Sequence, residues 1–461
     1  MAIFTDDSLA LLKIFSFPFV QSVVPMAKKR QTENEPIHEK HLVINPGCVA
    51  HNDYGDSFDQ INQVGGTSLH AKGFRGDNML IAFLDAGFLN ADLLSAFDSI
   101  NNRNGIMATH DFITGNDSVY EDNSHGTNCL SIAAGNMPGY FIGTAPAADY
   151  ILLRTEEGGS EFPVEELNWA AGAEFADSMG ADIISSSLGY SLFDTVFTNG
   201  NALVFDHSYL DMNGKTNPSS IAASIASSRG IIVCNSAGNS GGEPWRYITS
   251  PADADNILAV GAVDSKSNYA WFSGHGPTFD GRIKPDVVAR GDSTLYIHAI
   301  TGLVSSGNGT SFSCPIIAGL TACLWQAHPE KNYLQIMNAI RRSASKYFTP
   351  DNNIGYGIPN FTYADLYLSE FNETQLNSAD SVLVYPTLFS DELKINIKSK
   401  ADDDIFFELY DMAGKLVYED CRKSYVGFNA FEIQLPSISS GVYLLKIYSD
   451  HIYHIEKTER L

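Results

Sequence analysis

Four polar residues carry the side chains needed for covalent catalysis by a hydroxyl group, in the chain order Asp85, His125, Asn239 and Ser311. A serine hydroxyl is a weak nucleophile until a base takes its proton, and a histidine of near-neutral pKa suits that task. A carboxylate orients the histidine, and preformed donors stabilise the oxyanion of a tetrahedral intermediate. The set therefore predicts acyl transfer, with Asp85, His125 and Ser311 as catalytic residues and Asn239 as oxyanion donor.

Each of these residues also has a purely structural interpretation when taken alone. Ser311 precedes the apolar run Ile316–Trp325 and has the residue type of a helix N-cap. Asp85 at the end of a strand would be a turn residue, while His125 and Asn239, each beside a glycine, would be a cap and a loop residue. The catalytic interpretation requires the Ser311 hydroxyl to point to His125 and leaves its backbone N–H as a second oxyanion donor.

Short apolar strands alternate with helices between about Tyr54 and Leu366, which predicts the elements that position these residues. The predicted strands are Met79–Leu84, Tyr150–Leu153, Asp182–Ile184, Ile231–Cys234 and Ile257–Val263, and the predicted helices are His125–Ala134, Glu165–Met179 and Ser219–Arg229. Such alternation indicates an α/β fold with a parallel central sheet and helices on both faces. Ligands of these sheets bind at the carboxyl ends of the strands, where the four polar residues lie.

The pattern changes to a period of two residues after the polar stretch Glu370–Ser381. Strands separated by turns then follow from Val382 onwards, which predicts a small C-terminal all-β sandwich. The predicted organisation is a remnant and linker over 1–40, an α/β domain over 41–368, a linker over 369–381 and a β-sandwich over 382–461.

Composition limits the partners of the chain. Its 461 residues carry a formal net charge of −25, which argues against nucleic acid or an anionic membrane as a ligand. No apolar segment is long and uninterrupted enough to predict a membrane span. The cysteines Cys48, Cys129, Cys234, Cys314, Cys323 and Cys421 have no zinc-ligand or redox-motif spacing, so free buried thiols are the expectation.

Two acidic stretches are candidate metal sites. Asp211–Gly214 begins like a calcium-binding loop but lacks the downstream glutamate, so a plain turn is predicted. Asp117, Glu121 and Asp122 are interpreted as a solvated acidic loop. No metal ligand is assigned, and no cofactor is required by the predicted chemistry.

The chain resembles the subtilisin-like (subtilase, S8-type) serine proteases over about residues 45–366. The resemblance rests on five segments in the family's order, namely Ile81–Gly87, His125–Thr127, Ile184–Gly189, Ser236–Gly241 and Gly309–Pro315. It implies that Asp85, His125 and Ser311 form the catalytic triad and that Asn239 is the oxyanion residue. It further implies that Ser187, Leu188 and Gly189 bind an extended substrate by pairing with its backbone. Many subtilases bind calcium, so a structural calcium ion stays open.

Further segments are similar to those of secreted subtilases of Bacteroidetes type, namely Phe272–Pro277 and Gly281–Asp286. The C-terminal region resembles the type A sorting domain of the type IX secretion system, through Tyr385–Phe389, Tyr410–Val417 and Gly441–Lys446. A β-sandwich binding module is the alternative for this region. Residues 1–40 resemble the end of a propeptide, so we expect a truncated start and a secreted or cell-surface protein.

The resemblance implies a secreted serine endopeptidase that acts on proteins or peptides, uses the secretion machinery and is expected to be a monomer. The alternatives are a non-enzymatic, protease-like surface binding protein, or an immature fragment that lacks its full propeptide. Substrate preference stays open. The small residues Ser187 and Gly189 leave room for a large apolar side chain, whereas the acidic residues Glu156, Glu157 and Glu161 would favour a basic one.

Overall fold

The computed structural model describes residues 54–198, 201–369, 382–385, 388–389, 391–425, 427–435 and 437–460. The chain divides into two compact units, Met1–Leu368 and Ser369–Leu461. The predicted propeptide remnant over 1–40 lies outside the described residues, as do Cys48 and all but the first residue of the predicted linker over 369–381.

The first unit is built around a parallel sheet. Its described strands are β1 (Leu80–Asp85), β2 (Ile106–Asp111), β3 (Asn136–Met137), β4 (Phe141–Ile142), β5 (Asp149–Arg154), β6 (Ile183–Ser186), β7 (Val196–Thr198), β8 (Asn201–Leu203), β9 (Ile232–Ser236), β10 (Leu258–Val263), β11 (Val287–Arg290), β12 (Thr294–Ile297) and β13 (Val304–Gly307). Seven of them form the sheet in the order β11-β10-β9-β6-β1-β5-β2, and every pair in it is parallel. The remaining strands form the antiparallel hairpins β3–β4, β7–β8 and β12–β13.

Helices cover this sheet on both faces. They are α1 (Phe58–Asn62), α2 (Thr67–Ala71), α3 (Asp98–Asn102), α4 (His125–Ala134), α5 (Val164–Ser178), α6 (Pro218–Ser228), α7 (Thr310–Ala327), α8 (Tyr333–Arg342) and α9 (Phe361–Leu368), with 3₁₀ turns at Ser95–Phe97 and Tyr209–Asp211. Among the described residues, no helix is both long and apolar enough to cross a bilayer.

The two faces of β1 show how the layers are held. Ile81 and Phe83 belong to one core cluster, which also contains the buried faces of α4 and α7. Ala82 and Leu84 belong to the opposite cluster, which contains Trp169 and the buried faces of α5 and α6. Since burying one large apolar side chain stabilises the fold by about 1.5–3 kcal/mol, a strand that is apolar on both faces stays in the middle of the sheet. The predicted α/β class is confirmed.

The two edge strands of the sheet, β2 and β11, were absent from the sequence prediction. In β2 only Asp111 is fully buried, and polar residues interrupt its sequence, so it lacks the apolar run typical of a central strand. β11 has only the four residues Val287–Arg290 and follows Pro285 closely. Neither strand has enough apolar residues in sequence to be distinguished from a loop.

The second unit consists of antiparallel sheets that enclose one core. Its described strands are β14 (Val382–Tyr385), β15 (Leu388–Phe389), β16 (Glu392–Ser399), β17 (Asp403–Asp411), β18 (Leu416–Ser424), β19 (Gly427–Gln434), β20 (Gly441–Tyr448) and β21 (Tyr453–Arg460). One sheet has the order β14-β16-β19 and the other β15-β21-β20-β17-β18, in which only the short β15–β21 pair is parallel. Leu393 and Ile395 of the first sheet and Phe407 and Leu445 of the second share a buried cluster, as predicted for a β-sandwich.

Candidate active site

Asp85 and His125 are in direct contact. Asp85 ends β1, His125 begins α4, and the His125 Nδ1 atom lies 2.7 Å from Asp85 Oδ1. Asp85 is fully buried and also accepts the Ala86 N–H at 2.8 Å, whereas 34% of the His125 side chain is exposed. The Asp85 carboxylate therefore orients the His125 ring through Nδ1, and part of the ring stays accessible to solvent.

Two neighbours allow this contact. A Cβ atom at Gly126 would lie 2.4 Å from the Gly87 carbonyl oxygen and 2.9 Å from Asp85 Cβ, so only glycine lets α4 approach the end of β1 this closely. The Asn123 Oδ1 atom accepts the His125 N–H at 2.8 Å and satisfies a first-turn amide of the helix. Asn123 was not predicted, although an asparagine two residues before a helix start is a recognisable capping signal.

Opposing effects act on the pKa of His125. Burial would lower it, but the charge of Asp85, Cys129 and the hydrogen bond to Asp85 together raise the His125 pKa well above its ordinary value of 6.5. The ring thus stays protonated to a higher pH than a free histidine. A base role for His125 requires a pH above that raised value.

Helix α7 begins at Thr310, so the predicted N-cap role of Ser311 is wrong: Ser311 is the second helical residue. The first amide is instead capped from a distant loop, because Asn239 Oδ1 accepts the Thr310 N–H at 2.8 Å and the Thr310 hydroxyl at 3.0 Å. These contacts use the oxygen of the Asn239 amide. The amide nitrogen of Asn239 is left to donate to another group.

The Asn239 side chain and the Ser311 backbone amide both lie beside Gly309. A Cβ atom placed on Gly309 would lie 3.7 Å from Asn239 Nδ2, 3.7 Å from the Ser311 backbone nitrogen and 3.8 Å from Asn239 Oδ1. The Ser311 N–H belongs to the first helical turn, whose amides have no acceptor within the helix. A glycine at 309 keeps this space open, and the arrangement suits an oxyanion.

The Ser311 hydroxyl makes a different contact from the one expected. It donates to the Ser187 carbonyl oxygen at 3.3 Å, and these two described side chains, Ser311 and His125, share no hydrogen bond. The Ser187 hydroxyl in turn donates to the Ser311 carbonyl oxygen at 2.9 Å. Hydrogen bonds of catalytic residues are often long or misaligned before substrate binds, so the predicted role of Ser311 calls for its hydroxyl to leave the Ser187 carbonyl and turn to His125.

One cavity of about 500 Å³ brings most of the predicted residues together. Its lining includes His125, Asn239 and Ser311 and all three predicted substrate-binding residues, Ser187, Leu188 and Gly189. Asp85 is not in the lining, as befits a residue buried behind His125. The lining also includes residues that the sequence prediction did not single out, among them Asn123, Ser191, Thr249 and His298.

Cys129 lies closer to the predicted catalytic residues than Cys314 does. Its Sγ atom is 3.9 Å from both ring nitrogens of His125 and donates to the Ser311 carbonyl oxygen at 3.4 Å. Cys314 packs behind the nucleophile as expected, with its Sγ donating to the Ser186 carbonyl oxygen at 3.5 Å. Burial raises the pKa of both thiols. The spacing of four residues between His125 and Cys129 on one helix was the available sequence signal.

The sequence assigned no metal ligand, but the structure brings one group of possible ligand side chains together. Among the described residues, only Asp85, His125 and Cys129 bring ligand atoms within 4.8 Å of one another in a set that could hold an ion. A metal ion bound there would displace the proton that His125 must carry. The Asp211 carboxylate accepts the Ser208 N–H and hydroxyl at 2.8 and 2.7 Å, so it is engaged in its own turn.

The acidic stretch before His125 is engaged in local contacts. Asp117 lies 2.8 Å from His110 Nδ1, and Asp122 lies 2.6 Å from Arg154 Nη1. Arg154 also contacts Asp111 at 2.9 Å and donates to the Ala86 carbonyl oxygen. These bonds tie the segment between β2 and α4 to the ends of β1 and β5, and so support the position of His125.

Comparison with known proteins agrees with this geometry. The family model described as "Subtilase family" matches residues 76–357, and the model described as "Secretion system C-terminal sorting domain" matches residues 383–458. The serine protease AprX of Bacillus subtilis is 28% identical over an alignment of 280 residues that covers 55% of this chain and 59% of AprX. Subtilisin Savinase of Lederbergia lenta is 28% identical over 304 residues, or 65% of this chain and 95% of that relative.

Solved structures share the fold. MycP1 from Mycobacterium smegmatis superposes with a TM-score of 0.51 at 20% identity, covering 71% of this chain and 89% of MycP1. The subtilase match covers 282 residues, from 76 to 357, of the 461 in the chain, which is more than half. The chain belongs to the subtilase family and carries a C-terminal sorting domain.

Proposed function

We propose that this protein is a secreted serine endopeptidase that hydrolyses peptide bonds through an acyl-enzyme on Ser311. The observation that carries the proposal is the convergence of His125, Ser311 and Asn239 on one cavity, with Asp85 held 2.7 Å from His125 Nδ1 behind it. Family membership supports the same chemistry. The chain spans about 59% of the length of AprX.

In the proposed mechanism a peptide lies along Ser187–Gly189 and its scissile carbonyl enters the space beside Gly309. His125 takes the Ser311 proton as the hydroxyl attacks, and Asp85 stabilises the imidazolium that forms. Asn239 Nδ2 and the Ser311 N–H bind the oxyanion. His125 then gives its proton to the leaving amine, and a water molecule activated by the same ring releases the acyl group.

The test is active-site labelling and proteolysis by the full chain. Wild type should react with a serine-directed phosphonate and cleave casein, and Ser311→Ala should abolish labelling and lower turnover by roughly 10⁶-fold. Ser313→Ala is the matched control, because Ser313 is a buried serine of the same helix whose hydroxyl donates to the Thr310 carbonyl oxygen at 2.9 Å. A Ser311→Ala protein that still cleaves casein would refute the nucleophile.

A non-enzymatic binding protein is the second candidate, and one observation favours it. The Ser311 hydroxyl is bonded to the Ser187 carbonyl and not to His125, which is the arrangement of a serine with a structural role. A folded full-length chain that neither reacts with the phosphonate nor cleaves casein would support this candidate. Labelling of Ser311 would eliminate it.

The sorting domain suggests how the protein leaves the cell. We propose that residues 383–458, which match the secretion-system model, are recognised by the export machinery and place the monomeric protein outside the cell or on its surface. In a bacterium with that machinery, the full chain should be found outside the cell, and a variant without residues 383–458 should be retained. Export of the shortened variant would refute the role.

A further inference from the structure

The cavity at the proposed active site contains carboxylates without a counter-ion. Glu156 and Glu161 line it together with His125 and Ser311, and the lining includes no lysine or arginine among the described residues. Burial disfavours an ionised carboxyl group that has no counter-ion, and a cation bound beside it favours the ionised form. Both acidic side chains lie on the surface that a substrate at Ser311 would contact.

The charges of Asp85 and His125 both affect the pKa of Glu156. Burial and the charge of Asp85 raise the pKa of Glu156 to about 7, and His125 acts to lower it. In the described part of the chain, no lysine or arginine nitrogen lies within 4.0 Å of its carboxylate. Glu156 lies two residues after the end of β5. In the parallel register of β1 and β5, Asp85 lies opposite Arg154, so Glu156 stands near Asp85 at the carboxyl edge of the sheet.

Glu161 belongs to the same group. Its Oε1 atom is buried and makes no hydrogen bond among the described residues. Burial and the charges of Glu156, Glu165 and Asp194 raise the pKa of Glu161 to about 10. Glu165, by contrast, accepts the backbone N–H groups of Phe162 and Glu157 and so has a structural role. Glu156 and Glu161 are left without such partners.

Two buried hydroxyl groups give independent evidence of an unfilled polar position. Thr249 lines the cavity and is 5% exposed, yet its Oγ1 atom has no hydrogen-bond partner among the described residues. The Thr249 Oγ1 atom packs against two glycines of the cavity wall. A Cβ atom added to Gly189 would lie 2.1 Å from it, and one added to Gly238 would lie 3.0 Å from it. The fully buried Tyr190 hydroxyl, which senses the charges of Glu156 and Glu161, is also unpaired within the described part.

We propose that this cleft selects substrates with a lysine or arginine side chain close to the scissile bond, and that Glu156 and Glu161 bind its charge. The inference rests on the proposed peptidase function and names its substrate class. An ammonium or guanidinium group supplies the donors that these carboxylates lack, and charge-assisted hydrogen bonds are the stronger kind. The unpaired hydroxyl of Thr249, which lines the same cavity, can accept a remaining donor.

A preference for a large apolar side chain is the competing interpretation, since Ser187 and Gly189 are small. An apolar group in contact with Glu156 and Glu161 would exclude water from two carboxyl groups and give them no partner, which is unfavourable. A basic side chain fills the same space with its methylene groups and pairs its charged end. The basic side chain therefore fits both the size and the polarity of the cleft.

The experiment compares peptides that differ only in charge. Matched sets carry arginine, its neutral isostere citrulline, or norleucine at each of the four positions before the scissile bond, and kcat/KM is measured with the full chain. We expect arginine to exceed citrulline by roughly tenfold or more at one position, as for hydrogen bonds to a charged group. Glu156→Gln and Glu161→Gln should each lower that arginine-to-citrulline ratio severalfold.

The arginine-to-citrulline ratio of kcat/KM is the useful quantity. A charge change near His125 alters kcat/KM for both peptides by the same factor, and this factor cancels in the ratio. Glu157→Gln is the matched control: it removes a neighbouring acid that does not line the cavity, and it should leave the ratio unchanged. Equal cleavage of arginine and citrulline peptides by wild type would overturn the inference while leaving the peptidase function intact. A ratio insensitive to both cavity variants would also overturn it. Absence of cleavage of every peptide and of casein would instead refute the peptidase function.

Discussion

Ser187 and Ser311 hold each other by two hydrogen bonds of opposite direction. The Ser187 hydroxyl donates to the Ser311 carbonyl oxygen at 2.9 Å, and the Ser311 hydroxyl donates to the Ser187 carbonyl oxygen at 3.3 Å. The proposed nucleophile is thus attached to the segment proposed to bind substrate. For attack, the Ser311 hydroxyl must exchange this carbonyl for the ring of His125, whereas the Ser187 bond to the helix backbone can persist.

Replacing Ser187 by alanine tests this anchoring. Ser187→Ala removes one donor from a buried carbonyl that keeps the Cys129 Sγ contact at 3.4 Å, so the free energy of unfolding should fall by about 1 kcal/mol. Looser placement of Ser311 should lower kcat roughly fivefold, with KM nearly unchanged. Ser185→Ala is the control, since Ser185 is a buried serine of β6, the strand that ends just before Ser187, and its hydroxyl contacts Cys314. An unchanged kcat would show that the bond does not position Ser311.

The helix cap supplied by Asn239 leads to a paired prediction. Asn239→Ala removes the proposed oxyanion donor and should lower kcat by roughly 10²–10³-fold. Thr310→Val removes only the hydroxyl that donates to Asn239 Oδ1 at 3.0 Å, while the Thr310 N–H still holds that oxygen, so we expect a loss of roughly tenfold. Thr321→Val, a buried position of the same helix, should leave kcat within about twofold.

Rate measurements on those three variants separate positioning from folding. Thermal unfolding reports stability, and steady-state kinetics on one peptide reports kcat. If Thr310→Val and Thr321→Val reduced kcat equally, the Thr310 bond to Asn239 would have no special part in catalysis. A wild-type kcat in Asn239→Ala would refute the oxyanion role.

The pH dependence of activity follows from the Asp85–His125 contact. His125 must be neutral to act as a base, and its pKa is raised well above 6.5, so kcat/KM should be lost as the pH falls through that raised value. Asp85→Asn removes the charge that raises the pKa, so the acidic limb of the profile should move to lower pH while kcat falls by roughly 10⁴-fold. The measurement is a profile of kcat/KM between acidic and alkaline pH.

Two further measurements check the same contact. Asp117→Asn, at the other His–Asp contact of this region, should leave the profile in place, because His110 and Asp117 do not line the cavity. Since the folded state binds the His125 proton more tightly than the unfolded state, this group stabilises the fold fully below about pH 6.5 and loses that effect as pH rises through the raised pKa. An acidic limb at or below the ordinary histidine pKa would contradict the assignment.

Mercurial sensitivity should depend on Cys129. Its Sγ atom lies 3.9 Å from both nitrogens of His125, so a mercury atom bound there would block the ring. We expect methylmercury to inactivate wild type and Cys314→Ser, whereas Cys129→Ser should retain most of its activity. The thiol is buried, so inactivation should be slow. Protection by Cys314→Ser instead would place the sensitive thiol behind the nucleophile.

The amino-acid sequence by itself determined the fold class, the order of the domains and the identity of the residues that converge. These features are local. They are apolar runs of strand length, the onset of alternating apolar and polar residues near Val382, and polar residues directly after Leu84 or before Gly126. Each depends on neighbours within a few positions, where side-chain type and backbone geometry are strongly coupled. The edge strands β2 and β11 and the polar strand β21 were not predicted, because their residues lack a sustained apolar pattern.

Only the tertiary structure decided how the site is held. The first amide of α7 is capped by Asn239, 71 residues earlier in the chain, and the Ser311 carbonyl is bound by Ser187, 124 residues earlier. Glu156 and Glu161 line the same cavity as the proposed nucleophile. Such contacts join residues on different strands and helices, so they arise from the packing of the sheet and helices and not from any local pattern. Sequence could predict the catalytic set, but the hydrogen-bond partners and the pKa values of its side chains depend on the residues that folding brings beside them.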